Sequence, residues 1–288
     1  MREPVNAHPL VFWLSPLLLL AGQSCQSAAG PGPHLQSDRS HPAAASREPQ
    51  ASPADAPADE RHRAFGRRLR TYVVEGKVRY ESWLRSPGDR AALRDYVQWL
   101  AGTSPKSLDE PSRKAFWINA YNALTLNSVL ERYPLTSVNF NELKDPGARG
   151  FWETPAVAGG QSLTLNQIEA TILRPTFNDP RIHFAINCAS NGCPVLAADA
   201  YCRDTLDQQL DARTVAFLND PARGAHFDEK TGTLTVSMIF QWYAADFGDV
   251  TAFITRYRPE LTGKVKAMAF LPYDWRLNDF STAPNPAP

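Results

Sequence analysis

One stretch constrains this chain more than any other: EPSRKAFWINAYNALTLNSVLERYP, residues 110–134. Pro111 suits the first turn of a helix, and Pro134 stops the run. Apolar side chains at Trp117, Ile118, Tyr121, Leu124, Leu126, Val129 and Leu130 surround it. A helix that is apolar all round must be covered on every side, so other elements have to pack about it. Asn119 and Asn122 lie three apart on the side that carries Ala115, Leu126 and Leu130. Amides buried there need partners, either neighbouring backbone or the lining of a site.

The 288 residues allow one sizeable domain or two small ones. Thirty basic residues balance thirty acidic ones, so the basic surplus of a dedicated nucleic-acid binder is missing. Four cysteines are too few for a disulfide-rich scaffold.

Residues 9–22 read PLVFWLSPLLLLAG, an apolar run shorter than the roughly 20 residues of a bilayer span. Arg2 precedes it, and small residues and Cys25 follow. This is the layout of a secretory signal over residues 1–25, and Cys25 is placed as a lipoprotein acylation site. Residues 26–60 are rich in Pro, Ala, Ser and charge, and read as a disordered tether. The expected location is the cell envelope: exported, periplasmic and held to the membrane by a lipid. Residues 280–288 read as a disordered tail.

Between residues 61 and 279 the composition is that of a single mixed helix/hairpin domain of the α+β class. Residues 61–71 open it with a helix bearing five arginines, expected to be a solvated face. Residues 72–81 read as a hairpin turning at Gly76, and residues 89–101 as a helix. The segment SLTLNQIEATILRP, capped by Thr164 or Asn166, predicts a helix that carries Glu169. Helices are expected at 203–218, 237–247 and 250–257. A hairpin is expected at 223–237 and a closing strand at 265–275.

The run RIHFAINCASNGCPVL carries the chemistry. Ile182, Phe184 and Ile186 alternate with His183, Ala185 and Asn187, which predicts a strand with His183 and Asn187 on one face. Ser190-Asn191-Gly192 is turn chemistry that ends the strand and redirects Cys188.

AFWINAYNALTLNSVL, SLTLNQIEATILR, DPRIHFAINCASNGCPVL, VSMIFQWYAADF and FLPYDWRLN, in this order, resemble the DUF547 domain family, whose function is uncharacterised. The resemblance runs over most of residues 70–278. One departure is Ala170, where related sequences often carry a histidine after the glutamate that aligns with Glu169. The resemblance implies a domain and no reaction.

Two classes of function remain. In the first, Cys188 is the nucleophile of a thiol-dependent hydrolase or acyl transferase, and His183 lowers its pKa. Asn187, Asn119, Asn122 and Asp274 are candidates to orient the imidazole or bind an oxyanion, and Glu169 is a candidate acid. His226 ranks second to His183, because it falls in an exposed hairpin. In the second, the domain is a non-catalytic envelope binding module, to which Phe240, Trp242, Tyr243 and Phe247 contribute. Its cysteines then form a structural disulfide, Cys188–Cys193 or Cys193–Cys202, with the third thiol left over. A metal bound by His183, Cys188 and Cys193 is disfavoured, because the spacing is not a standard zinc pattern and no fourth ligand is evident. No cofactor is expected, and the substrate or protein partner is not readable.

Overall fold

A computed structural model describes residues 55–139 and 150–282. The leader, Cys25, most of the tether and the end of the tail lie outside the described residues.

Helix α1 runs Asp55–Tyr72, starting inside the stretch read as tether. Pro57 falls in its first turn, where a missing N–H costs nothing. Ala58, His62, Phe65, Leu69 and Tyr72 form a buried stripe at alternating spacings of four and three. Asp59 is buried too and accepts the Arg203 N–H at 3.2 Å, which ties this first turn to the domain. Arg61, Arg63, Arg67 and Arg70 are exposed on the far side, and Arg68 pairs with Asp89. Strands β1 (Val73–Val74) and β2 (Lys77–Val78) make the expected hairpin. Its turn needs Gly76 at φ +77°. Helices α2 (Tyr80–Leu84) and α3 (Pro87–Gly102) follow.

Helix α4, Glu110–Arg132, is the central helix. The Asp109 side chain caps it by accepting the Ser112 N–H at 2.9 Å. Its buried residues run without a gap from Ala115 to Leu126, as a helix covered on all sides must. Helices α1 and α3 pack on it, and the main core about them includes the buried Trp83, Leu93, Leu100, Phe116 and Ile118.

Strands β3 (Ala156–Ala158) and β4 (Gln161–Leu163) form a second hairpin. A capping box at Thr164 and Gln167 starts the next helix. It opens as α5 (Leu165–Gln167), widens to π geometry over Ile168–Leu173 and ends as α6 (Arg174–Phe177). Pro175, which lacks an N–H, sits just after the widened stretch. Wide turns of this kind often mark functional sites, and this one carries Glu169 and leads into Arg174.

The strand expected over 182–187 is not formed. Pro180–Phe184 is a 3-10 helix, started by Asp179, which accepts the Arg181 N–H at 3.1 Å, with Pro180 behind it. Ala185 and Ile186 both return their N–H groups to the Ile182 carbonyl. The alternation misleads because the segment is wedged between two cores. Ile182, Ala185 and Ile186, at helical spacing, pack into the main core, whereas Phe184 enters a second core with Phe217, Phe240, Phe247 and Phe253. A segment buried on both sides shows no polar face from which a period can be read.

Helix α7 spans Leu206–Leu218. Strands β5 (Ala225–Asp228) and β6 (Thr233–Val236) form a third hairpin, the one expected over 223–237. The helical stretch expected over 237–247 breaks at Tyr243 into two single turns, α8 (Ile239–Trp242) and α9 (Ala244–Phe247). After α10 (Val250–Tyr257), strand β7 (Ala267–Phe270) closes the sheet parallel to β6. The domain is thus α+β, with helices about α4 and, among the described residues, three small sheets. Among the described residues no helix is long and apolar enough to cross a membrane.

Candidate functional site

The cysteine loop is built on Asn187, which is buried. Its N–H reaches Asn122 Oδ1 at 2.9 Å, and Asn122 Nδ2 reaches the Ala185 carbonyl at 2.9 Å. The Asn187 side chain accepts the Ala189 N–H at 2.9 Å and donates to the Pro194 carbonyl at 2.8 Å. That Asx turn holds Ala189 at φ +66°, in the left-handed region that a residue with a Cβ avoids. The closing segment grips the loop from the other side. Asn278 N–H bonds the Ala189 carbonyl, Asn191 N–H bonds the Arg276 carbonyl, and Gly192 N–H bonds the Asp274 carbonyl. Strain held this way beside a reactive side chain is a common mark of a functional loop.

Cys188 projects from this loop, half-buried. Its sulfur lies 3.1 Å from Ser190 Oγ and 3.4 Å from Tyr273 Oη. The Tyr273 hydroxyl also reaches Cys193 Sγ at 3.3 Å and Ser190 Oγ at 3.0 Å. The Cys188 N–H points at Cys193 Sγ, 3.1 Å away. Burial alone would raise the Cys188 thiol. Hydrogen bonds to the Cys193 thiol, Ser190 and Tyr273 outweigh it and bring Cys188 down to about 7. Cys193 is pushed the other way, by burial and by the neighbouring Cys188 charge. Tyr121, Tyr243 and Tyr273 are all raised well above their ordinary range, by burial first and then by nearby negative charge that includes Cys188. They stay protonated at neutral pH and remain donors.

His183 is buried and belongs to a second group. Its Nε2 lies 2.7 Å from Asp246 Oδ2. Arg174 clamps the same carboxylate in bidentate fashion, Nε to Oδ2 at 2.5 Å and Nη2 to Oδ1 at 3.0 Å. The imidazole rests on the Tyr243 ring at 4.2 Å between centroids, and the Arg174 guanidinium covers the same ring at 4.9 Å. Tyr243 senses both groups: after burial, the Glu169 and Cys188 charges raise its hydroxyl. Glu169 itself is buried.

The hydrogen bonds of Cys188 therefore go to Ser190, Tyr273 and Cys193, and those of His183 to Asp246. The other candidates fall as follows. Asn122 and Asn187 position the loop through backbone. Asn119 brackets Tyr201, donating to its carbonyl at 2.7 Å and accepting its N–H at 2.9 Å. Asp274 pairs with Arg276, and its main-chain carbonyl holds Gly192. His226 is exposed on β5.

Cys188, Cys193 and Cys202 are all free thiols. Cys202 sits apart, its N–H on Gln209 and its thiol raised to about 11 by burial and the Asp59 charge. Sequence reasoning missed Asp246 and Arg174, and gave Ser190 and Tyr273 no chemical role. No spacing signal marks them, since Asp246 is 63 positions from His183 and Tyr273 is 85 from Cys188. Among the described residues no group of three or more His, Cys, Asp and Glu side chains is gathered for a metal ion.

No curated protein and no solved structure matches the chain. A family match covers Glu169, Arg174, His183 and the whole cysteine loop, and leaves Tyr243, Asp246 and Tyr273 beyond its end. It is shorter than the resemblance over 70–278. Residues 105–218 match the family described as "Protein of unknown function, DUF547".

Proposed function

We propose that the domain is a thiol-dependent acyl-transfer enzyme, a hydrolase or transferase of esters or amides, with Cys188 as nucleophile. One observation carries the reading: a half-buried thiol set among Ser190, Tyr273 and Cys193 and brought to about 7. A thiol with that pKa is about half ionised at neutral pH, against a few per cent for an ordinary cysteine. The thiolate attacks the carbonyl carbon, and the carbonyl oxygen takes up the negative charge. Ser190 and Tyr273 hydroxyls stand beside the sulfur to stabilise that charge as it develops. The bond to the leaving group then breaks, the leaving group takes a proton, and a thioester on Cys188 remains for water or a second acceptor. His183, held by Asp246 and resting on the Tyr243 ring, is the proton carrier in this reading.

The setting in this reading is the cell envelope. It rests on the apolar leader at 9–22, on Cys25 as the acylated residue and on the Pro/Ala/Ser-rich stretch that follows. Expression in a bacterial host followed by fractionation tests it. The wild type is expected in the membrane with an acylated Cys25, and Cys25→Ala is expected to lose both. A soluble, unacylated wild type contradicts the anchor.

Chemistry is tested by incubating the protein with activated esters and short amide substrates and mapping the adduct by mass spectrometry. An acyl group on Cys188, lost in Cys188→Ser, supports the reading. Folded protein that acylates at no position favours the envelope binding module.

A further inference from the structure

The two cysteines of the loop differ in exposure. Cys188 is half-buried and Cys193 is buried, with only 6% of its surface exposed. They are held together from three directions. The Cys188 N–H lies 3.1 Å from Cys193 Sγ. Both sulfurs address the single Tyr273 hydroxyl, at 3.4 and 3.3 Å. The turn between them is pinned by the Cys193 N–H, which bonds Ser190 Oγ at 3.2 Å and the Ser190 carbonyl at 3.3 Å. Acyl transfer at Cys188 asks nothing more of Cys193 than the hydrogen bond that lowers the Cys188 thiol, so the chemistry of the second sulfur itself is unused.

We propose that Cys188 and Cys193 form a hydroperoxide-sensitive pair, in which peroxide oxidises Cys188 and Cys193 closes a reversible disulfide that silences the site. Cys188, the less buried of the two, meets the oxidant and Cys193 resolves the product. In the first step the Cys188 thiolate attacks one oxygen of the hydroperoxide. The O–O bond breaks, Cys188 becomes a sulfenic acid, and the other oxygen leaves as an alcohol, or as water from hydrogen peroxide, after taking one proton. In the second step the Cys193 sulfur attacks the sulfenyl sulfur. The S–O bond breaks, water leaves with the Cys193 proton, and the disulfide is complete. One peroxide is reduced by two electrons, and a dithiol reductant restores both thiols. The Ser190 and Tyr273 hydroxyls, which flank Cys188, are placed to donate to the departing oxygen. Cys202 lies outside the group and serves as an internal control. The proposal does not depend on Cys188 carrying acyl groups.

The test uses the full chain, reduced and freed of reductant, then given one equivalent of hydrogen peroxide at pH 7. Non-reducing peptide mapping at timed intervals follows Cys25, Cys188, Cys193 and Cys202, and dimedone traps any sulfenic acid. The expected result is a Cys188–Cys193 link that forms while Cys202 stays reduced, and that dithiothreitol reverses. Iodoacetamide labelling of Cys188 should fall at least about tenfold on oxidation and return on reduction. In Cys193→Ala the Cys188 sulfenic acid should persist and be trapped. The wild-type time course decides the matter even if that variant folds poorly. A wild-type Cys188 sulfenic acid that accumulates without linking overturns the proposal. So do links that involve Cys202 equally, and so does a folded protein whose loop thiols survive peroxide unchanged. Acylation of Cys188 by esters is scored separately, so either idea can fail alone.

Discussion

The Cys188 sulfur lies 3.4 Å from the hydroxyl of Tyr273, a residue 85 positions further along the chain. The closing segment at 273–278, which holds Asn191, Gly192 and Ala189 through its main chain, is what places that hydroxyl. Thiol acidity in this protein is therefore a product of tertiary structure, set by hydroxyl and thiol neighbours and not by the adjacent histidine.

Tyr273→Phe keeps the ring and removes the hydroxyl that contacts Cys188, together with its contacts to Cys193 and Ser190. Losing a hydrogen bond to the charged form raises a pKa. The Cys188 midpoint is expected to move up from about 7 towards the ordinary value of about 8.5. Alkylation at pH 7 should slow by about three- to tenfold. A pH series of iodoacetamide rates on the folded variant measures it.

Gly192→Ala perturbs the same contact from below. A Cβ at this position would sit 2.9 Å from the Asp274 backbone nitrogen and 3.1 Å from the Tyr273 ring. The backbone cannot yield cheaply, so the loop must shift. A cost of about 1–3 kcal/mol in urea unfolding is expected, together with a raised Cys188 midpoint. An unchanged midpoint would show that the ring does not set the thiol.

Much of the scaffold is legible in the sequence because its signals are local. The Thr164/Gln167 capping box, the Gly76 turn and the unbroken apolar surface of α4 each state their structure within a few residues. His183 and Cys188 were legible as chemical types. Their partners were not, because Asp246 and Tyr273 arrive from α9 and the closing segment. The misread strand at 182–187 has a physical cause: Ile182, Ala185 and Ile186 keep helical spacing while Phe184 serves a different core. Two overlapping burial patterns imitate period two.

Acid stability should reveal the second group. Burial would raise the Asp246 carboxyl, but hydrogen bonds from His183 and Arg174 outweigh it and hold it well below the usual carboxylate range. A depressed folded pKa contributes stability above the unfolded value of about 4, and that stability is lost as pH falls through the folded one. Asp246→Asn should therefore be less stable at pH 7 by about 1–3 kcal/mol, and the gap should begin to narrow below about pH 4 and go on shrinking towards about pH 2. The size is held below that of a fully buried pair because the carboxylate keeps 24% side-chain exposure. Denaturant unfolding from pH 7 to pH 2 measures the gap.

A separate acid response belongs to His62. It is buried against Trp99 and Phe116 with Nδ1 2.7 Å from the Tyr96 hydroxyl, and burial lowers its pKa from 6.5 to about 3. Between those values the unfolded chain takes a proton that the folded chain refuses. Stability is then whole above about pH 6.5 and falls as pH drops towards 3. His62→Gln keeps a partner for Tyr96 and removes the titration, so its stability should vary less over that window. Equal slopes for both proteins would contradict a neutral buried His62.

The central claim is an acidic, reachable Cys188. Alkylation of the folded, reduced protein across pH 5–9, with peptide mapping to locate the label, tests it most directly. Labelling is expected at Cys188 with a midpoint of about 7, with an upward shift in Tyr273→Phe and no shift in His183→Ala. A midpoint at or above about 8.5, the value of an unperturbed thiol, or labelling that begins only on denaturation, would contradict it.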